Sequence, residues 1–539
     1  MDESDSTQRI AAIEAKGESA TQEDIAELKH LREGLESYQI KTFEEYDAEK
    51  NAEVLKVVFK EKLQAIPENA LSREIAFIAA NFINSQFRFI APEDTGEVLY
   101  YSREEGIFRP AEAFIDKLAR GLLCEKATSS LVKEIIGHLR AKNYIERSEL
   151  NKNQELICAK NGIINILTGE FKEHSPDYYF TQQLPIPFIA TATCPRIAKF
   201  LSEVLSPEDV LNVIELFGYC LYKGYPIQKI FMLHGDGANG KSTFIELLKA
   251  FLGSQNCSNI PLQQLAISRF AKAELYGKLA NLYADIPANA LSDTGTLKML
   301  RGGDTVSAER KFKDFFSFVN HAKLIFSCNR IPTTYDDTIA FWRSWIIVPF
   351  PNTFLGDKAN KGLLKELTTE GELSGMLNLA LKALKGLLER GDFSNTKGVE
   401  EVKADYIRRS DSVGAFVMDN LEADGSGAFI KQELYRWFCE YCREKKLISI
   451  TQDSFFKNIH QHLKLTTPKI TINEKREYCF AGLKPKMSEA SNLSNVLAVL
   501  SIGEFTVYIH KIGKPLDTSD TPNSKDSQAL LSRQNQKVS

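Results

Sequence analysis

Long apolar runs, a basic leader and a regular cysteine framework are all missing from this 539-residue chain. No run approaches the roughly 18 apolar residues of a membrane helix, and the acidic residues 1–5 are unlike a secretory signal. The nine cysteines are scattered, which favours reduced thiols. We therefore expect a cytoplasmic protein with no membrane partner.

A strong charge of one sign is also missing, since the formal net charge is −4. Any nucleic-acid site must therefore be a local basic patch rather than a property of the whole surface. What is present is ample core material, with 43% hydrophobic and 26% charged residues. Length and composition together predict a globular protein of two to four domains.

Changes in pattern along the chain predict five segments. They are a charged helical segment at 1–85, a mixed α+β domain at 86–205, an ATPase domain at 206–390, a helical domain ending in two strands at 411–485, and a mostly disordered tail at 486–539. Two hairpins are predicted near 98–109 and 163–171. In 206–390 helices alternate with short apolar runs, which is typical of a parallel sheet.

One segment, 235–242, fits every position of the phosphate-binding loop pattern G-x-x-x-x-G-K-[ST]. It follows a short apolar run and precedes a helical pattern, which is the context the motif requires. The loop N–H groups would hold phosphates, Lys241 would contact the β- and γ-phosphates, and Ser242 would ligate Mg²⁺. The residues assigned to ATP are Gly235, Asp236, Gly237, Ala238, Asn239, Gly240, Lys241, Ser242 and Thr243.

Two later apolar runs end in polar residues suited to the same chemistry. Asp285 ends the run 279–284, where an acid can hold Mg²⁺ or polarise the attacking water. Asn329 ends the run 322–328, and its amide can hydrogen-bond the γ-phosphate or that water. The alternative for both is an ordinary turn residue. Arg343 lies between aromatic residues just before another strand, where the nucleotide of a neighbouring subunit could meet it.

The order of these motifs resembles that of superfamily 3 helicases, specifically the primase-helicases of satellite phages and plasmids and their poxvirus relative. The resemblance covers about residues 86–480. It is carried by 235–243, 298–304, 309–313, 323–329 with Ile331 and Pro332, and 341–343, and upstream by 161–163 and 174–176.

The resemblance implies an AAA+-like ATPase that assembles as a ring, usually a hexamer, and moves single-stranded DNA through its centre. Asn329 would be the sensor and Arg343 the finger that reaches the next subunit's site. Many relatives have a second arginine where Ser344 stands, which leaves Arg330 as an alternative finger.

The stretch 304–318 would be the pore hairpin of that family. Its predicted DNA contacts are Arg310, Lys311, Phe312 and Lys313. Cations beside aromatic rings are the combination that single strands favour. The alternative is a solvated strand with a buried phenylalanine face.

We thus predict an α/β protein whose P-loop, AAA+-like superfamily 3 motor follows a helical and mixed N-terminal region and precedes a winged-helix-like domain. It would use ATP and Mg²⁺ to unwind DNA when a virus, phage or plasmid replicates inside its host cell. The predicted partners are single-stranded and forked DNA, further copies in a homohexamer, and a primase or replication initiator.

Three alternatives remain open. One is an origin-binding initiator ATPase without processive unwinding, and another is a metabolic phosphotransferase that uses the same loop. The third is a primase-helicase, which we disfavour because a primer-synthesising site of the archaeo-eukaryotic type typically needs an Asp-x-Asp pair for its two metals. The chain contains no such pair, and its first 85 residues are too short for that fold.

Overall fold

A computed structural model describes residues 59, 71–287, 291, 293–311, 315–334, 336–355, 360, 362–445, 447–472, 475–486, 496–502 and 505–510. Most of the predicted segments 1–85 and 486–539 therefore lies outside the described residues. The chain divides into two compact units between Phe188 and Ile189. Both units contain helices and sheets, so the fold is mixed α/β as predicted. Within the described ranges, no helix has the length and apolar character needed to cross a membrane.

The first unit combines helices with two small sheets. The helices are α1 (Ser72–Gln86), α2 (Glu112–Leu123) and α3 (Ser129–Lys142). One sheet holds β1 (Phe89–Pro92), β2 (Leu99–Ser102), β3 (Ile107–Pro110) and β4 (Tyr144–Ile145), and the other holds β5 (Leu156–Ala159), β6 (Gly162–Asn165) and β7 (Phe171–Lys172). Both predicted hairpins are confirmed, because β2 pairs antiparallel with β3 and β6 with β7.

The second unit is built around a five-stranded sheet. The strands of this sheet are β8 (Ile230–His234), β9 (Cys257–Ser258), β10 (Ala280–Tyr283), β13 (Lys323–Cys328) and β14 (Trp345–Pro349). The strands β11 (Thr305–Glu309) and β12 (Phe315–Val319) form a separate hairpin. The helices around them are α4 (Pro195–Val204), α5 (Pro207–Leu221), α6 (Lys241–Leu252), α7 (Leu262–Ile267), α8 (Arg269–Ala273), α9 (Gly295–Gly302), α10 (Ile339–Trp342), α11 (Leu363–Leu367) and α12 (Glu370–Arg390).

The sheet has the order β14-β8-β13-β10-β9, and every neighbouring pair is parallel. Its central strand β13 is buried at all six residues, as expected of a parallel sheet covered on both faces. The predicted parallel sheet is therefore confirmed. Because all strands run the same way, the chain segments that follow β8, β10 and β13 emerge at one edge.

Helix α4 lies in the second unit, although a domain boundary was predicted after it, at 205. The buried carboxylate of Glu372, on α12, accepts hydrogen bonds from the backbone N–H groups of Arg196 and Ile197 at 3.1–3.2 Å. A negative charge at a helix N-terminus stabilises otherwise unpaired donors. This contact is between distant parts of the chain, so the local sequence pattern could not predict it.

The C-terminal part of this unit contains the helices α13 (Val399–Ser410), α14 (Ser412–Asn420), α15 (Lys431–Glu444) and α16 (Gln452–His462). Its sheet contains β15 (Leu421–Ile430), β16 (Lys469–Ile472), β17 (Lys475–Pro485), β18 (Val496–Ile502) and β19 (Phe505–His510), in the order β16-β17-β15-β19-β18. The two strands predicted after the helices are confirmed as the antiparallel pair β16 and β17. Within the segment predicted as a mostly disordered tail, residues 496–502 and 505–510 form the antiparallel pair β18 and β19.

Candidate nucleotide-binding site

The phosphate-binding loop joins the end of β8 to the start of α6, as the sequence predicted. Gly240, the last loop residue, has φ +90°, and a Cβ there would come within 2.8 Å of the side chain of Val204. Glycine therefore meets both a backbone and a packing requirement at this position. Because Gly240 directly precedes α6, the N-terminus of this helix faces the loop, with its first backbone N–H groups free of helical partners.

Lys241 is buried below the loop and surrounded by oxygen atoms. Its Nζ donates to Asn239 Oδ1 at 3.1 Å, to Asn329 Oδ1 at 3.2 Å and to the carbonyl oxygen of Gly235. Burial lowers the pKa of this ammonium, and no carboxylate pairs with it among these contacts. A buried cation held by neutral oxygens is suited to receive the anionic oxygens of a phosphate chain.

Asn329 and Asp285 reach the same place because of strand order. β13 lies between β8 and β10. Asn329, which follows β13, therefore emerges next to the loop, and Asp285, which follows β10, emerges one strand further away. Asp285 has φ +59°, which is uncommon for a residue other than glycine, and the next N–H, that of Ile286, donates to Ser327 O at 2.8 Å. The backbone thus bends where the carboxylate reaches the cavity.

Lys241, Ser242, Asp285 and Asn329 line one cavity of about 600 Å³. The Ser242 hydroxyl and the Asp285 carboxylate are hard oxygen donors of the kind that Mg²⁺ prefers, so this donor set fits the metal. The volume is within the usual range for small-molecule sites. The structure therefore brings together three of the four predicted catalytic residues, with both predicted metal ligands.

The sequence did not predict the outer wall of this cavity. That wall is formed by α4 and by residues near α11, namely Arg196, Lys199, Phe200, Glu203, Val204, Phe354, Asn360, Leu363 and Glu366. Arg196 and Glu366 form an ion pair across it. The residues of α4 recur at helical spacing, so one face could have been recognised, but nothing local indicates that this face meets the loop.

Arg343 lies at the opposite end of the strands, where they begin. It precedes β14, whose residues Trp345 and Pro349 are in register with Ile230 and His234 of β8. Arg343 is therefore roughly 20 Å from the loop along the strand direction. It does not line the cavity of its own chain.

Gln228 holds the exposed Arg343 side chain in place. Its Oε1 accepts from the Arg343 guanidinium at 3.2 Å and from the Arg301 guanidinium at 3.3 Å. Arg301 is buried and also donates to Ala340 O at 2.7 Å, and Lys229 donates to Arg343 O at 2.9 Å. Two guanidinium groups thus share one amide oxygen, with the Lys229 ammonium on the backbone of Arg343, a grouping that sequence reasoning missed because the residues are far apart in the chain.

The predicted hairpin at 304–318 is present as the antiparallel pair β11 and β12. Arg310 lies over the ring of Phe316, with its guanidinium carbon 5.5 Å from the ring centroid. Lys311 is exposed near the tip. Phe312 and Lys313, the other two predicted DNA contacts, lie outside the described residues.

Two domain families match parts of the chain. Residues 77–206 match the family described as D5 N terminal like, and residues 233–343 match a family of unknown function, DUF5906. The second range includes the loop, Asp285, Asn329 and Arg343.

Several viral proteins are similar in sequence. L207/L206 of Acanthamoeba polyphaga mimivirus, named as a proposed helicase, is 25% identical over 407 residues, which is 70% of this chain and 42% of that protein. The proposed helicase 184R of Invertebrate iridescent virus 6 is 26% identical over 258 residues, 44% of this chain and 26% of that protein. The chain thus spans less than half the length of these relatives.

Among solved structures, an apo form of the NrS-1 C-terminal region aligns with 76% of this chain and 99% of its own, at 13% identity and a TM-score of 0.43. That likeness is below the level at which two folds are usually equated. The sequence comparisons show that the chain is similar to proposed viral helicases and that residues 77–206 match the D5 N terminal like family.

Proposed function

We propose that the chain is an ATP-dependent DNA helicase that acts as a ring, with an AAA+-like motor of the superfamily 3 type. The observation that carries this proposal is the convergence of Lys241, Ser242, Asp285 and Asn329 on one cavity at the carboxyl edge of a parallel sheet. Similarity to proposed viral helicases supports nucleic acid as the substrate and replication as the process.

The positions of these residues support ATP hydrolysis. Water attacks the γ-phosphorus, the bond to the β–γ bridging oxygen breaks, and ADP leaves. Lys241 neutralises charge on the phosphate oxygens, and the Asn329 amide orients the γ-phosphate or the water. Ser242 and Asp285 would hold Mg²⁺, which supplies charge neutralisation when bound.

The position of Arg343 supports a site shared between subunits. An exposed guanidinium that is remote from its own loop is accessible to the nucleotide of another copy, and the neighbouring Gln228 limits its freedom. Such an arrangement needs head-to-tail contacts, which close into a ring when the rotation between subunits allows it. A homohexamer is the assembly that we propose.

Strand displacement on a forked DNA substrate tests this function. The purified chain with ATP and Mg²⁺ is expected to release the displaced strand, and the same mixture with a non-hydrolysable analogue is not. Hydrolysis and DNA binding without displacement would favour an origin-binding initiator. Hydrolysis that is indifferent to DNA would favour a phosphotransferase.

The contribution of Lys311 can be measured through salt dependence. If each of six subunits offers one cation to a single strand, log affinity should fall with log salt at a slope of about −4, from roughly −0.7 per phosphate. Lys311→Ala in all subunits is expected to flatten that slope and to remove DNA-stimulated turnover. Basal hydrolysis should persist, because Lys311 does not line the nucleotide cavity.

Lys249→Ala is the matched control for this experiment. Lys249 lies on α6, outside the hairpin sequence, and forms a surface ion pair with Glu246 at 3.5 Å. Its variant should keep the slope and the unwinding rate of the unmodified protein. An unchanged slope in Lys311→Ala would show that the hairpin tip does not contact phosphates.

A further inference from the structure

Alternation along the hairpin sends its phenylalanine residues to opposite faces. Phe318 is buried, and Phe316 packs against it and against Tyr276, with ring centroids 5.7 and 5.5 Å away. Phe315 points the other way and is 60% exposed. Of these neighbouring residues Phe315 therefore has the more exposed ring.

The exposed ring of Phe315 belongs to a second group of residues, contributed by α8. The Arg269 guanidinium carbon lies 5.3 Å from the ring centroid of Phe315 and 5.3 Å from that of Phe270, which is 39% exposed. Glu309, opposite Phe315 in the hairpin register, forms an ion pair with Arg269 at 2.6 Å. The cation is thus fixed between two rings that both face solvent in part.

Two exposed phenylalanines have no polar group to offer water, so this surface is suited to a partner that covers the rings. Glu309 is neutralised by Arg269, while Arg310 and Lys311 on the same hairpin leave the neighbourhood positively charged. A partner that matches both properties needs flat apolar faces and negative charge. Single-stranded nucleic acid has both, in its bases and its phosphates.

We propose that Arg269, Phe270 and Phe315 form a nucleobase-stacking site for single-stranded nucleic acid. The site rests on the proposed function, because a strand must reach the hairpin. It extends that function by giving separate roles to two kinds of residue. The rings stack on bases whatever their identity, and Lys311 contacts phosphate. Affinity therefore has one component that depends on bases and another that depends on salt.

Two oligonucleotides of equal length and charge separate these components, one of thymidine and the other of abasic residues. The unmodified full chain is expected to bind the thymidine strand more tightly, by roughly 5- to 150-fold per stacked base. The double variant Phe270→Ala, Phe315→Ala should lose most of that preference, keep its affinity for the abasic strand and keep its salt slope. Lys311→Ala should do the reverse.

Ile267→Ala is the matched control, because Ile267 is an apolar residue 72% exposed at the end of α7, next to α8. It should keep both the base preference and the slope. If the unmodified chain binds and the double variant retains its base preference, the stacking site is wrong while the helicase proposal stands.

Failure of the unmodified chain to bind either strand would overturn the proposed function together with the site. The mass of the assembly distinguishes another occupant of the same surface, a second copy of this chain. If the double variant dissociates the assembly and Ile267→Ala does not, the rings form a contact between subunits and the stacking site is overturned.

Discussion

Lys241→Ala is expected to lower ATP turnover by at least about 10²- to 10³-fold, the usual effect of removing one preorganised group from a phosphoryl or oxyanion site. The loss arises because the Lys241 ammonium, which is buried and hydrogen-bonded to neutral oxygens, would neutralise charge on the phosphate chain. Phosphate release at saturating ATP and Mg²⁺ measures the effect.

The Lys241 variant should still fold, since the side chain lies beside a loop and its three hydrogen bonds go to neutral oxygens rather than to a carboxylate. Its midpoint of thermal unfolding should stay within about 4 °C of the unmodified protein. Lys241→Met keeps the length of the side chain and serves where the alanine variant is unstable. If either folded variant hydrolysed ATP as fast as the unmodified protein, the assignment of the cavity to ATP would be contradicted.

Arg343→Ala is expected to lower turnover by about 10³- to 10⁵-fold, or roughly 4–7 kcal/mol of activation free energy, if it serves as a finger. Binding of ATP should change far less, because Arg343 does not line the cavity of its own chain. Turnover and nucleotide affinity measured on one assembled preparation separate these two effects.

Mixing two inactive variants tests whether Arg343 acts between subunits. Lys241→Ala provides intact fingers, and Arg343→Ala provides intact loops. In a random equal mixture about a quarter of the sites pair an intact loop with an intact neighbouring finger, so about a quarter of the turnover should return. No recovery would place the arginine outside a shared site. Recovery with Arg330→Ala in place of Arg343→Ala would make Arg330 the finger, although it donates to Ser410 O at 3.3 Å.

The approach of Asp285 and Asn329 to the loop could be predicted from the sequence for a simple topological reason. Asp285 and Asn329 each follow an apolar strand, and parallel strands end at one edge, so recognising the strands was enough to bring the side chains together. The register that separates Arg343 from the loop follows from the same rule, because it precedes its strand rather than following it.

Contacts between distant segments could not be predicted in this way. Whether α4 belongs before or after a domain boundary depends on Glu372, far along the chain. Arg269 and Phe270 lie in a helix of five residues, too short for a periodic pattern, and only packing against the hairpin brings them to Phe315. Gln228 likewise gains its role from two arginines that folding brings to it.

Particle images of the purified full chain with a non-hydrolysable ATP analogue, Mg²⁺ and single-stranded DNA test the central claim most directly. We expect a closed ring with the strand in its centre, the nucleotide on the loop around Lys241, and Arg343 of the adjacent copy facing that nucleotide. Single copies with bound nucleotide, or a ring in which Arg343 is remote from every nucleotide, would contradict a motor with shared sites.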